Sequence, residues 1–377
     1  MVVDIPNPSH LNSGEANLVE NGSELILSWI AESDSLDILY SSRLVNNSFE
    51  KAIEIARDSN WFINWADFPG LAAFGDKLHL LGYWLQMRDS GTYDYDIHFS
   101  LSDDNGKSWS QSKVLHNDGV SAEHGFVSTA AVDNGIMLIW LDGRDMVKAD
   151  SHDEGHSHGS GFMTLRSAVV TSEGEIIDRQ QIDNRVCECC QTDIVNTECG
   201  PIAVYRNRSN HEVRDIYYAR YYNDAWTDPK PLHVDNWQIN GCPVNGPRIA
   251  SYENIVVATW FTQSESEAKV QFKISTDCGK SFTDPQLVGK GEKIMGRIDV
   301  QLLEDHIFIS HMQNDSMDAE IVISDYSIDG RLNTRQTIAR NGLSRKSGFP
   351  RMAVWNENLF VSFRDLNTDR IKTLKVL

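Results

Sequence analysis

Three of the six cysteines fall within four residues, in Cys187-Glu188-Cys189-Cys190. Thiolates are soft ligands suited to copper or zinc, and so many together suggest a transition-metal centre. Cys242, in Gly241-Cys242-Pro243-Val244-Asn245-Gly246-Pro247-Arg248, is a candidate fourth sulfur, and His124, in Glu123-His124-Gly125-Phe126, a candidate nitrogen ligand. The expected metal set is therefore His124, Cys187, Cys189, Cys190 and Cys242. The tract from Asp150 to His158 adds His152, His156 and His158. The same thiols permit another outcome, a disulfide from Cys189 or Cys190 to Cys242 that pins two loops together. On an extended segment Cys187 and Cys189 share a side and Cys190 faces away. Cys199 and Cys278 sit in turns, and Cys278 reads as an uninvolved small residue.

The rest of the chain must bring these residues together, and it does so by repetition. Seven short apolar runs end at matching places in Trp29, Trp84, Trp140, Tyr205, Trp260, His311 and Phe363, in steps of 55, 56, 65, 55, 51 and 52. Each follows another apolar run across a turn such as Asn21-Gly22 or Asn134-Gly135, a strong hairpin signal. A third, alternating run follows, as in Tyr95-Asp96-Ile97-His98-Phe99, and a weaker fourth. Four strands in a unit of about 50 residues describe a β-propeller blade. The fold expected is all-β: one domain over residues 1–377 with seven four-stranded blades, or six if one unit is misread. The last unit lacks one strand, which Val2 to Pro6 can supply, closing the ring.

Successive strands reverse direction, so the loops leading into each blade and the loops from second to third strand share one face. The inter-blade loops Asn64–Pro69, Glu123–Phe126, Cys187–Asp193, Gly241–Arg248, Gly296–Asp299 and Ser347–Arg351 are richer in polar, charged and thiol groups than turns require. Six such loops converging over a central channel predict a binding site. Trp61, Phe62, Trp65 and Trp237 lie in or beside these loops and could stack on sugar rings, although packing at blade junctions is the commoner explanation for such residues.

Two third-to-fourth strand turns share Ser-x-Asp-x-Gly-x-Ser-aromatic: Ser102-Asp103-Asp104-Asn105-Gly106-Lys107-Ser108-Trp109 and Ser275-Thr276-Asp277-Cys278-Gly279-Lys280-Ser281-Phe282. This resembles the Asp-box, or BNR repeat, of the sialidase superfamily. The resemblance extends over nearly the whole chain through the blade repeat. It implies a propeller that binds, and in some members hydrolyses, a glycan. In sialidases three arginines hold the substrate carboxylate, an Asp is the acid/base and a Tyr assisted by Glu is the nucleophile. The matching candidates for binding substrate are Arg144, Arg206, Arg297, Arg351 and Arg364, with Trp65 as a stacking residue. Asp67 and Glu123 are the candidate catalytic carboxylates, and Tyr205 and Tyr217 the tyrosines that could be offered. The sequence departs from the family's Arg-Ile-Pro motif: Asp67-Phe68-Pro69 stands in an early blade, and Arg297-Ile298-Asp299 lies late and lacks the proline.

The formal net charge is −20. Such a surface repels polyanions, which excludes nucleic acid as an expected partner and leaves an anionic small ligand or glycan only through a local arginine cluster. No apolar run approaches the roughly 20 residues that span a bilayer. Met1-Val2-Val3-Asp4-Ile5-Pro6 lacks the basic segment and apolar core of a leader. The expectation is a cytoplasmic protein, or an extracytoplasmic one whose leader has been removed.

Overall fold

In the computed structural model of the protein, residues 2–10, 12–33, 35–75, 79–88, 91–150 and 161–376 are described. The histidines of the 152–158 tract and Asp76 lie outside them. The described strands form seven antiparallel sheets. Blade 1 comprises Ser13–Glu20, Leu25–Glu32, Asp37–Val45 and Ile53–Asp58. Blade 2 comprises Gly70–Phe74, His79–Met87, Tyr95–Ser102 and Lys113–Val114. Blade 3 is built from His124–Val132, Gly135–Asp142, Thr164–Val170 and Ile176–Asp183, and blade 4 from Asp193–Thr197, Gly200–Arg206, Ile216–Tyr222 and Lys230–Pro231. Blade 5 holds Arg248–Tyr252, Ile255–Thr262, Lys269–Ser275 and Gln286–Lys290, and blade 6 Ile294–Leu303, His306–Asp315, Asp318–Ser327 and Leu332–Asn341. Blade 7 takes Arg351–Trp355, Asn358–Asp365 and Arg370–Val376, and its outermost strand is Val2–Ile5.

Strand position dictates composition. Second strands lie between two partners and two neighbouring blades, so they read as unbroken apolar runs; Gly135–Asp142 is buried at every residue. Third strands alternate: Tyr95, Ile97 and Phe99 are buried while Asp96 and His98 are half-buried. The N-terminal strand pairs antiparallel with the last, Val2 opposite Val376 and Ile5 opposite Thr373, so the two ends of the chain hold one sheet. Arg144, expected in a loop, opens a short helix, Arg144–Asp150. No helix among the described residues is long and apolar enough to cross a membrane.

The two serine–aspartate turns have matching hydrogen bonds. Gly106 N–H donates to Ser102 Oγ at 2.7 Å and Ser108 N–H to Asp104 Oδ1 at 2.9 Å. Gly279 N–H donates to Ser275 Oγ at 2.8 Å and Ser281 N–H to Asp277 Oδ1 at 2.9 Å. One expectation on this face is corrected: Cys278 is not an uninvolved residue but forms a disulfide with Cys199, their Cα atoms 6.0 Å apart. The bond joins the first hairpin of blade 4 to the aspartate turn of blade 5. Sequence spacing concealed it because the two cysteines are 79 positions apart and their turns come side by side only once both blades are folded.

On the opposite face, successive blades are tied by buried side chains that accept backbone N–H groups of the next first strand. Phe126 N–H donates to Asp67 Oδ1 at 2.7 Å, Ile249 N–H to Asp193 Oδ2 at 2.8 Å, and Met352 N–H to Asp299 Oδ2 at 2.7 Å. Asn245 Oδ1 accepts from Arg297 N–H at 2.8 Å. The ties require close approach. A Cβ on Gly125 would stand 2.0 Å from Asp67 Oδ2, and one on Gly296 2.4 Å from Asn245 Oδ1. Bulges follow both glycines, and the residue after each takes positive φ, Phe126 and Arg297, as Glu15 does after Gly14 in blade 1. A bulge re-aims the side chain it carries.

Because Val2–Ile5 closes the ring, removing residues 1–8 should lower unfolding free energy by about 3 kcal/mol, as the freed strand edge loses its ladder and packing. Urea unfolding of the truncated and full chains measures this; equal midpoints would show that the N-terminal strand closes nothing.

Candidate functional site

The central channel opens on the face of the inter-blade loops. It encloses about 410 Å³, lined near its mouth by Asp67, Phe68, Tyr83, Gln191, Arg248 and Arg351. That volume is in the range of small-ligand sites. At its rim Trp65 stacks on Phe349, with ring centroids 5.4 Å apart and planes 9° from parallel. The Arg297 guanidinium lies 5.1 Å from the Trp65 ring, and Arg345 5.9 Å from it on the outer side. Arg351 lies 5.7 Å from Phe349 and 5.9 Å from Phe68. The bulge at Gly296 aims Arg297 inward, where Nη1 bonds Ser347 Oγ and the carbonyls of Ser344 and Gly348, both at 3.3 Å. Arg351 donates one nitrogen to Gln191 Oε1 at 2.9 Å; the other, Nη1, is buried and has no hydrogen-bond partner among the described residues. Burial and neighbouring cations, Arg345 for Arg297 and Arg248 for Arg351, push both guanidinium groups down to about 10. Asp299 and Asp193 act on Arg351 in the opposite direction, but neither is hydrogen-bonded to it among the described residues.

The other three expected arginines are engaged elsewhere. Arg206 is buried and donates to the carbonyls of Arg214, Asn245 and Phe261, at 2.6, 2.7 and 2.7 Å, so it fastens blade 4 to blade 5. Arg364 pairs with Glu32 at 3.2 Å and Asp369 at 2.7 Å. Arg144 grips Asp142 at 2.6 Å and Asp118 at 2.8 Å. Arg248, at the end of the Gly241–Arg248 loop, lines the same channel between Asp193 at 3.3 Å and Asp299 at 3.0 Å.

Both candidate carboxylates meet at one phenol. Tyr95 Oη is 2.7 Å from Asp67 Oδ2 and 3.1 Å from Glu123 Oε1. Burial raises Asp67 from 3.8 to about 7, against the pull of the Tyr95 and Phe126 hydrogen bonds. Burial, then the charge of Asp67, raises Glu123 from 4.5 to about 8. Burial and the two carboxylates also hold the Tyr95 phenol well above its ordinary value, so it stays protonated. Asp67 is fully engaged, with the same blade-tying role as Asp193 and Asp299; Glu123 is half-buried. Tyr205 is in the core, bonded to Asp183 at 2.7 Å. Tyr95 escaped the sequence reading because its strand alternates like any other third strand. Glu15, half-buried and raised to about 7 chiefly by loss of solvent, also escaped it; the Gly14-Glu15 pair, like Gly296-Arg297, was its available signal.

His124 is surrounded by acids. Its Nε2 lies 3.0 Å from Asp118 and 3.7 Å from Asp142, and its Nδ1 contacts the carbonyls of Tyr95 and Ala122 at 3.1 and 3.0 Å. Its ring stacks on His116 at 3.7 Å. With Arg144 these groups form a buried ion network within blade 3 and the loop before it, and both ring nitrogens of His124 are already used there. The thiols gather without it. Cys187 Sγ is 3.8 Å from Cys189 Sγ and 3.5 Å from Cys190 Sγ, and Cys242 of the next loop is a neighbour of Cys189. Cys190 does not face away as extended geometry implied: the chain turns at residues 188–190 and brings it back. All four are thiols, with no disulfide among them.

No family model matches the sequence, and no curated relative does either. Solved structures match the shape. A polysaccharide lyase aligns over 96% of this chain and 89% of its own, with 9% identity and a TM-score of 0.56. A neuraminidase-like protein from a bat isolate (A/bat/Guatemala) aligns over 100% of this chain and 94% of its own, with 10% identity and a TM-score of 0.51. At such identities the likeness is one of fold, and that fold is the β-propeller.

The raised carboxyl groups make stability depend on pH. Between the ordinary value of 4.5 and about 8 the folded chain keeps a proton on Glu123 that the unfolded chain has released. Stability should therefore fall as pH rises through that window and level off above it. Glu123→Gln should flatten this slope in urea unfolding measured from pH 4 to 9; an unchanged slope would place the Glu123 carboxyl in water.

Proposed function

We propose that the protein binds a carboxylated glycan in the cup between Trp65, Phe349, Arg297 and Arg351. The observation that carries this reading is the buried, unpartnered Nη1 of Arg351 in a cluster of cations, within a chain whose net charge is −20. Burying a guanidinium without a partner is costly, and an anionic ligand removes that cost with a charge-assisted hydrogen bond. The Trp65–Phe349 stack beside it offers an aromatic face to the C–H surface of a sugar ring. A propeller of the same fold is named as a polysaccharide lyase. Serine–aspartate turns of the Asp-box type on the opposite face agree with a sialidase-like ancestry. Binding to carboxylated and neutral oligosaccharides by calorimetry is the test. Arg297→Ala and Arg351→Ala should each weaken the carboxylated ligand about 10- to 100-fold, and Trp65→Ala should weaken it too. Equal affinity for neutral sugars, or undiminished binding by Arg351→Ala, rejects the reading.

Glu123 holds a proton at neutral pH, is half-buried and shares Tyr95 with Asp67, a residue of the channel lining, so it is the candidate general acid, with burial and then Asp67 raising it. A sialidase-type reaction has less support. Arg297 and Arg351 are two arginines rather than three, and the Tyr95 phenol is flanked by two carboxylates that oppose its ionisation. Turnover of an aryl sialoside should stay below about 1 per second; a faster rate, abolished by Glu123→Gln, would overturn that expectation.

A further inference from the structure

We infer that Cys187, Cys189, Cys190 and Cys242 form a binding site for one thiophilic closed-shell cation, Zn²⁺ or Cu⁺, beside the cup and without a histidine. Four sulfurs around zinc, each about 2.3 Å from it, stand about 3.8 Å from one another. The sulfurs of Cys187 and Cys189 are 3.8 Å apart, those of Cys187 and Cys190 3.5 Å, and the three lie within 4.8 Å of one another. Cys242 neighbours Cys189 at the edge of this group, outside the set of three. The spacing of the three is that of ligands already gathered, and Cys242 is the fourth that would close in on the ion.

Two loops hold the thiols in place through backbone contacts remote from sulfur. Val186 bridges to Asn207, and Cys187 N–H donates to Arg206 O at 2.9 Å, which fixes the first loop on blade 4. The loop carrying Cys242 is held by Arg206, whose Nη2 donates to Asn245 O at 2.7 Å. It also packs so closely that a Cβ on Gly246 would stand 1.9 Å from Gln191 O. The charge of a thiolate centre has a counterpart here. Arg214 Nη1 donates to Cys187 Sγ at 3.0 Å, and Arg214 is itself oriented by Glu212 at 2.8 Å and Glu188 at 3.2 Å. Groups hydrogen-bonded to ligating atoms orient the ligands and tune a metal site, and a guanidinium would also offset the negative charge of the thiolates. Cys187 and Cys190 are buried and Cys242 is exposed, so an ion could enter from the Cys242 side. Soft sulfur ligands in such number select Zn²⁺ or Cu⁺ over Mg²⁺ or Ca²⁺. The bound ion would clamp the loop between blades 3 and 4 to the loop between blades 4 and 5.

The full chain, purified under reducing conditions without a metal-affinity tag, is the material for the test. Elemental analysis should find about one equivalent of zinc or copper per chain, and its identity separates the two ions. After chelation, Co²⁺ added to the wild-type protein should produce the visible bands of tetrahedral thiolate coordination, and a bathocuproine competition should report any Cu⁺ site. Cys189→Ser and Cys242→Ser should reduce bound metal at least tenfold, while Cys199→Ser, on the far face, should leave the stoichiometry unchanged. Because the Co²⁺ spectrum is read on the wild-type chain, a variant that fails to fold does not decide the matter. Four reactive thiols with neither a Co²⁺ spectrum nor Cu⁺ retention, or a disulfide among these cysteines in freshly purified protein, would overturn the site. Metal content is independent of glycan affinity, so this inference and the proposed function fail separately.

Discussion

A closed ring of blades is only as firm as its junctions, and here the junctions are buried hydrogen bonds at one end of each inner strand. Asp67, Asp193, Asn245 and Asp299 each accept a backbone N–H from the next blade, and the channel-facing loops hang from these bonds. A first strand has a ladder partner on one side only; its other side faces the neighbouring blade, where unpaired backbone groups would be costly. A carboxylate or amide oxygen meets that need at short range. Glycine at 125 and 296 leaves room for it, and the bulges that follow set the direction of Phe126 and Arg297.

The same constraint shapes the electrostatics of the cup. Three blades place a carboxylate near the axis, yet these acids are taken up with backbone donors, Tyr95 or Arg248. Arg351 and Arg297 remain as cations with polar but uncharged partners. The result is a small positive mouth on a strongly acidic protein. Such an inversion concentrates anions where the bulk surface repels them. The aromatic pair Trp65 and Phe349 lies between the two guanidinium groups, so charge and stacking surface coincide.

Sulfur stands on both faces of the junction between blades 4 and 5. On the face away from the cup, Cys199 and Cys278 join covalently. On the other, Cys189 and Cys190 gather around Cys187, and Arg206 bridges the same two blades through backbone carbonyls. The junction between these blades thus carries more cross-connection than hydrophobic contact alone provides, and it flanks the cup where Glu123 and Cys242 approach each other.

The periodic features were legible in the sequence. Spacing of the terminal aromatics, the Asn-Gly turns and the two serine–aspartate turns specify strands, hairpins and seven blades, because each is a local pattern of side-chain type. The missing strand of the last blade likewise pointed to Val2–Ile5. Which loops face the channel followed from strand direction alone, and so Trp65, Arg297, Arg351 and the Cys187–Cys190 loop were named. What each polar group does there could not be read this way. Arg206, Arg364 and Arg144 occur in the same kind of position as Arg351, but carbonyls or carboxylates from other blades engage them. Asp67 stands where a ligand-binding residue was sought and meets Phe126 N–H instead. The Cys199–Cys278 bond and the Tyr95 bridge between Asp67 and Glu123 join atoms from separate strands or blades. Hydrogen-bond partnership and burial are set by distances between segments far apart in the chain, and only the closed ring decides those distances.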